Sequence, residues 1–194
     1  MIKFAVYGLS GCGKSTVGRM ISEYYSSRNK KTEFIKLAYP LYQIQHIFYE
    51  TAGKTIGFYE QDQVLLESIA GNLRKISNMA LADNFLRRLK QSDGDVVIND
   101  DVRDYQFDYP ALKKEGFLFI KVFCDEELRI RRLKERNDIS VTLVSKTTRD
   151  IDKFSSDLAI DTNSSDLDKA RTQLHRFLDQ MGEVKRFGEN DINR

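Results

Sequence analysis

The chain has 194 residues, enough to bury a sizeable core and short enough that one domain is the expectation. Its 31 basic and 29 acidic residues leave a net charge of +2, so no bulk charge draws it to nucleic acid, and no apolar run approaches membrane-spanning length. Two cysteines, Cys12 and Cys124, form neither a disulfide framework nor a metal cluster; with an amino terminus that lacks a secretory leader, they suggest the cytoplasm.

Residues 2–7 are an apolar run ending at Gly8, and Ser15 and Thr16 then open a helical period through Val17, Met20, Ile21 and Tyr24, which predicts strand, loop and helix. Residues 34–38 predict a second strand, closed by Tyr39-Pro40 because a residue before proline avoids helical geometry. Residues 41–49 read as a helix, Gly53 and Gly57 break it, and residues 61–90 predict one long helix, or two with a bend near Gly71, from apolar positions that include Val64 and Ile76. After the Asp93-Gly94 turn, residues 95–99 suit a buried parallel strand with Asp100 and Asp101 at its carboxyl end.

A short helix over 109–115 stops at Gly116, residues 117–123 give the next strand, and residues 126–136 a basic helix. The polar stretch 137–145 leads into a further helix, and a small helical lid is expected over about 137–149. Residues 158–160 predict a brief strand and 166–181 a closing helix with Leu167, Ala170, Leu174, Phe177 and Leu178 inward, before a polar tail over 182–194. Strands alternating with helices predict an α/β fold: one domain over 1–181, three layers α/β/α, with a mostly parallel five-stranded sheet and ligands at the carboxyl strand ends.

Gly8-Leu9-Ser10-Gly11-Cys12-Gly13-Lys14-Ser15 matches the Walker A pattern of the P-loop NTPases and stands where it should, between a strand and a helix. In such a loop the amides of Gly8, Ser10, Gly11, Cys12 and Gly13 wrap phosphate, Lys14 reaches the β- and γ-phosphates, Ser15 ligates magnesium and Thr16 meets the α-phosphate. ATP and Mg2+ are the cofactors this implies.

At the next strand end, Asp100 can hold magnesium or the acceptor, Asp101 can orient the acceptor as a catalytic group, and Arg103 offers a bidentate fork to an acceptor phosphate. Arg74 is a second acceptor-side candidate. Arg129, Arg132 and Arg136 share one helical side, from which Arg132 and Arg136 are selected as catalytic lid arginines with Lys14, and Arg149 follows beyond; a solvated charge run is the plain alternative. His46 and His175 have no ligand-type neighbours in sequence and are assigned no role.

With these pieces in order, residues 1–180 resemble the nucleoside monophosphate kinase-like branch of the P-loop kinases, phage-type deoxynucleoside monophosphate kinases and dephospho-coenzyme A kinases in particular. Residues 34–41 are similar to a strand ending Phe-Ala-Asp-Pro-Leu, residues 65–74 to the substrate-side helix, and Asp101-Val102-Arg103 to an Asp-Val-Arg element of the deoxynucleotide kinases. The loop 157–163 resembles the one bordering adenine, which implies a base-site role for Thr162 and Asn163. Tyr39 and Phe107 depart from the family's aspartate and glutamate. The resemblance implies phosphoryl transfer from ATP to a small-molecule nucleotide acceptor, most directly a (deoxy)nucleoside monophosphate, with no nucleic acid or membrane partner and a homodimer allowed. Dephospho-coenzyme A or nucleoside phosphorylation, and an ATPase or switch acting on a protein partner, stand as alternatives.

Overall fold

Strand β1 (Ile2–Tyr7) is covered on both faces, and its alternation divides the core in two. Phe4 and Val6 point to one side, where they meet Val17, Met20 and Ile21 of helix α1 (Lys14–Ser26) and Ala170, Leu174 and Leu178 of α7 (Asp168–Asn190). Ala5 and Tyr7 point to the other. There the cluster takes Leu41 and Tyr42 of α2 (Tyr39–Thr51), Leu66 and Ile69 of α3 (Gln63–Ile76), Leu81, Phe85 and Leu89 of α4 (Ala80–Gln91), and Tyr109 and Leu112 of α5 (Asp108–Lys114). The three-layer α/β/α arrangement follows from this two-sided burial. The computed structural model describes residues 1–136, 139–140, 150–163 and 167–190.

The remaining strands are β2 (Thr32–Phe34), β3 (Val96–Asn99), β4 (Leu118–Phe123) and β5 (Leu158–Asp161); all pairings are parallel and the order is β2-β3-β1-β4-β5. The chain reverses its direction of travel around β1, which places the ligand crevice at the carboxyl ends of β1 and β3. Register makes this concrete: Ala5 lies opposite Asn99, so the loop after Tyr7 and the segment from Asp100 leave the sheet side by side.

Several boundaries differ from the sequence reading. The second strand spans Thr32–Phe34 instead of 34–38: Ile35 N still donates to Ile98 O at 3.0 Å, but the amides of Leu37 and Ala38 turn to the Asp101 carboxylate, at 2.8 and 3.0 Å. Pro40 does not end a strand there but sits in the first turn of α2, where its missing N–H costs nothing. The break in 61–90 falls at residues 77–79, not at Gly71; Ser77 is extended and the Arg74 guanidinium donates to Asn78 O at 3.0 Å. Gly71 is exposed within α3, and Val64 and Ile76, counted in the apolar period, also face solvent. Helix α7 begins at Asp168 and continues to Asn190, through most of the stretch read as a polar tail.

Helix α6 (Glu126–Glu135) buries Arg129 and Leu133. Of the expected lid, residues 137–138 and 141–149, with Arg149, lie outside the described residues; Ile139 and Ser140 are described, and Ser140 Oγ donates to Asp62 Oδ1 at 2.6 Å. The further helix expected after residue 145 also begins outside the described residues; the described residues that follow show one 3-10 turn, Ile151–Lys153. No helix among the described residues is long and apolar enough to cross a membrane.

Phe85 is fully buried and its ring lies 5.7 Å from that of Phe117. Phe85→Ala should therefore lower the unfolding free energy by about 3–5 kcal/mol, measured by urea denaturation; a loss below about 1 kcal/mol would mean that this face of the sheet is not the close-packed core described.

Candidate active site

The loop 8–13 is built on glycines because its backbone must go where other residues cannot. Gly8 has φ +149°, and a Cβ there would lie 2.1 Å from the carbonyl oxygen of Val122, so the loop rests directly on the end of β4. Gly13, with φ +88°, caps α1 without any side-chain hydrogen bond, and the first turn of α1 carries no acidic residue. The unsatisfied amides at that helix end face outward, with the positive end of the helix dipole, toward an anion.

Ser10, Gly11, Gly13, Lys14, Ser15 and Thr16 form one wall of a cleft of about 230 Å3. Gly8 and Cys12 lie behind that wall, Cys12 being 2% exposed. Lys14 Nζ donates to Leu9 O at 3.0 Å. Burial within the loop, followed by the nearby Arg103 guanidinium, brings the Lys14 ammonium down to about 8.

Asp100 is 4% exposed and faces the loop. Its Oδ2 accepts from Ser15 Oγ at 2.9 Å and its Oδ1 from Lys36 Nζ at 2.6 Å. A hydroxyl and a carboxylate side by side, next to a phosphate-wrapping loop, are the hard oxygen donors magnesium takes, so Ser15 and Asp100 fit that ion. No group of three or more His, Cys, Asp or Glu among the described residues could hold a metal.

Asp101 lines the same cleft but its carboxylate is engaged: beyond the amides of Leu37 and Ala38, Oδ1 accepts from Asn99 Nδ2 at 2.7 Å. Asn99, fully buried, also donates to Ile35 O at 3.0 Å and accepts from Val102 N at 3.0 Å, fixing the start of the acidic segment. Arg103 lines the cleft and has no hydrogen-bond or ion-pair partner among the described residues.

Arg132 and Arg136 reach the cleft from the end of α6. Arg132 donates to Thr162 O at 2.9 Å, and Arg136 to Gln61 Oε1 at 3.1 Å. Arg129 is buried instead, against Gly11. Thr162 is 2% exposed; its hydroxyl donates to Cys12 O at 2.8 Å, supporting the loop from behind. Asn163 accepts from the amide of Asp125 at 2.6 Å and so holds the start of α6. Neither Thr162 nor Asn163 is on the cleft wall.

Arg74 does not join the cleft. Its guanidinium pairs with Asp108 at 2.7 Å and lies 3.8 Å from Asp104, bracing α3 against α5. The buried Asp108 carboxyl is pushed up to about 6 by burial, with Arg74 opposing and Asp104 adding to the rise.

Sequence reasoning missed Lys36 and Gln61, which stand on the cleft wall with Tyr42, and Asn99 beneath it. Lys36 and Asn99 carried a signal, each a polar residue inside an apolar run that ends at the strand tips; Gln61 carried none. Lys36 also borders a second cleft of about 280 Å3, whose walls include Tyr39, Tyr59 and Arg88. The Arg88 guanidinium lies 4.9 Å from the Tyr39 ring centre and donates to Lys36 O at 2.6 Å.

Residues 5–152 match the family model AAA_18, described as an AAA domain. The chain belongs to that family. Among solved structures, this AAA-domain chain is similar to shikimate kinase from Acinetobacter baumannii in complex with shikimate, at TM-score 0.54 and 18% identity over 95% of both chains. It is also similar to the Mycobacterium tuberculosis APS kinase CysC in complex with AMPPNP and APS, at TM-score 0.50 and 16% identity over 92% of this chain and 97% of that one. The fold is therefore that of the P-loop kinases.

The Lys14 ammonium must be charged to bind a polyphosphate. The affinity of the protein for a nucleoside triphosphate analogue should hold level below about pH 8 and then fall, by up to about tenfold per pH unit, as Lys14 loses its proton. Calorimetric titrations between pH 6.5 and 9.5 measure this; a constant affinity across pH 8–9.5 would contradict it.

Proposed function

We propose that this protein is a kinase that uses ATP and magnesium to phosphorylate a small nucleotide acceptor, in the first instance a (deoxy)nucleoside monophosphate, in the cytoplasm. The observation that carries the reading is the charge of one cleft: Lys14, Lys36, Arg103, Arg132 and Arg136 converge on a wall made of the glycine-rich loop, against only Asp100 and Asp101. Such a density of cations suits a triphosphate and an acceptor phosphate brought end to end. The fold is shared with two kinases of small molecules, one solved with AMPPNP and APS, which supports phosphoryl transfer from a nucleotide.

In this reading the loop amides and Lys14 hold the ATP phosphates, and magnesium bound by Ser15 and Asp100 would neutralise charge as the phosphoryl group moves. Arg103 holds the acceptor phosphate. Arg132 and Arg136 close over the transferring group from α6. The engagement of Asp101 by two amides and Asn99 suits it to a holding role and leaves no carboxylate poised as base. A phosphate acceptor needs none, because its attacking oxygen is already deprotonated, whereas a hydroxyl acceptor does. That favours a monophosphate over dephospho-coenzyme A or a nucleoside. The rings of Tyr39 and Tyr59, across Lys36, offer faces on which the acceptor's base can stack. Arg74, held by Asp108, is assigned to structure.

Magnesium-dependent ATP consumption against a panel of ribo- and deoxynucleoside monophosphates, nucleosides and dephospho-coenzyme A tests the reading: one monophosphate should stimulate turnover and yield the matching diphosphate. ATP hydrolysis unmoved by every acceptor would point to an ATPase or switch. With the stimulating acceptor in hand, Lys14→Ala should cut kcat by about 10²–10³-fold without lowering the melting temperature. Arg103→Ala should raise the acceptor KM by about tenfold or more while the KM for ATP stays put; equal changes in both would remove Arg103 from the acceptor end.

A further inference from the structure

The chain's two cysteines, 112 positions apart, meet in the fold. Cys12 Sγ and Cys124 Sγ lie 3.6 Å from each other, both thiols free. Cys12 stands in the phosphate loop, its amide donating to Leu9 O at 3.2 Å and its carbonyl accepting from Thr162 Oγ1 at 2.8 Å. Cys124 is the first residue beyond β4 and the more accessible of the two. The contact thus joins the backbone that wraps phosphate to the strand end on which Gly8 rests.

We propose that Cys12 and Cys124 form an oxidative modification site: a thiol oxidant of the peroxide class converts the pair into a disulfide that weakens nucleotide binding. The Cys124 thiolate attacks one peroxide oxygen, the O–O bond breaks, and hydroxide leaves, giving a sulfenic acid at Cys124. Cys12 sulfur then attacks the Cys124 sulfur and the sulfenyl oxygen departs as water. In sum two thiols lose two electrons and two protons, and one peroxide becomes two waters.

The sulfurs must close from 3.6 Å to about 2.05 Å. Cys12 is tethered through Leu9 and Thr162, and Cys124 through β4 and the α6 start held by Asn163, so neither end can move without dragging the loop or its support. Burial and the neighbouring Cys12 push the Cys124 thiol up to about 11, against the guanidinium groups of Arg132 and Arg129. Its thiolate is scarce at neutral pH, so the first step is slow at pH 7 and quickens as the pH rises.

The effect on binding rests on the nucleotide reading above, so modification and binding are measured separately. Full-length protein treated with hydrogen peroxide should lose two hydrogens in intact-mass analysis and yield one linked peptide containing Cys12 and Cys124; dithiothreitol should restore it. Cys124→Ser should form no such link. Oxidised protein should bind a non-hydrolysable ATP analogue at least tenfold more weakly than reduced protein, and by linkage the analogue at saturation should lower the oxidised fraction in a glutathione buffer. Persistence of both thiols under peroxide, or a linked protein with unchanged affinity for the analogue, overturns the proposal. Reduced protein that fails to bind the analogue would overturn the functional reading instead, while the mass result still decides whether the site exists.

Discussion

Asp100 is the residue on which the arrangement turns. It is almost fully buried, and a carboxylate removed from water must be paired or hydrogen-bonded to stay charged. Its two oxygens are met by Ser15 from the first turn of α1 and Lys36 from the chain beyond β2. One side chain thereby ties together three segments that are distant in sequence, and all three leave the sheet at its carboxyl edge. The parallel register that sets Ala5 opposite Asn99 makes this possible; a slip of one residue would turn the β3 side chains to the opposite face and take Asp100 out of reach of Ser15.

The neighbouring contacts serve the same placement. Asn99 and Asp101 together engage five backbone groups at the strand tips, including the Leu37 and Ala38 amides, and so fix the turn that presents Lys36. On the far side Thr162 and Asn163 hold Cys12 and Asp125, which fixes the loop and the start of α6, and with α6 the approach of Arg132 and Arg136. The cations of the cleft are set by backbone clamps, and their positions follow from those clamps more than from the helices that carry them.

Much of this was legible in the sequence, for physical reasons that also mark where legibility ends. The glycine-rich loop could be read because strand, positive-φ glycines and helix start are local requirements, and the β-branched run before Asp100 because a strand covered on both faces must be apolar throughout. The extent of β2 could not be read, since competition between the sheet ladder and the Asp101 carboxylate for two amides is a long-range matter. Gly71 looked like a bend but rides on an exposed helix face with room for a side chain, whereas the break follows Ile76. Arg74 was matched to a substrate role by its place in a helix; only the fold brings Asp108, 34 positions on, to its guanidinium. Thr162 and Asn163 were drawn to the right end of the sheet; the buried Thr162 supports the loop from behind, and Asn163 holds the start of α6.

Because Asp100 joins the loop, Lys36 and Ser15, the hydroxyl proposed to ligate magnesium, the most direct measurement is the magnesium dependence of nucleotide binding in wild type and in Asp100→Asn, a change that keeps size and removes charge. Titrating a non-hydrolysable ATP analogue with and without magnesium should show that the ion tightens binding to the wild type and has little effect on the variant, at similar melting temperatures. An equal magnesium effect in both proteins would contradict the account of Asp100 as the residue around which the site is assembled.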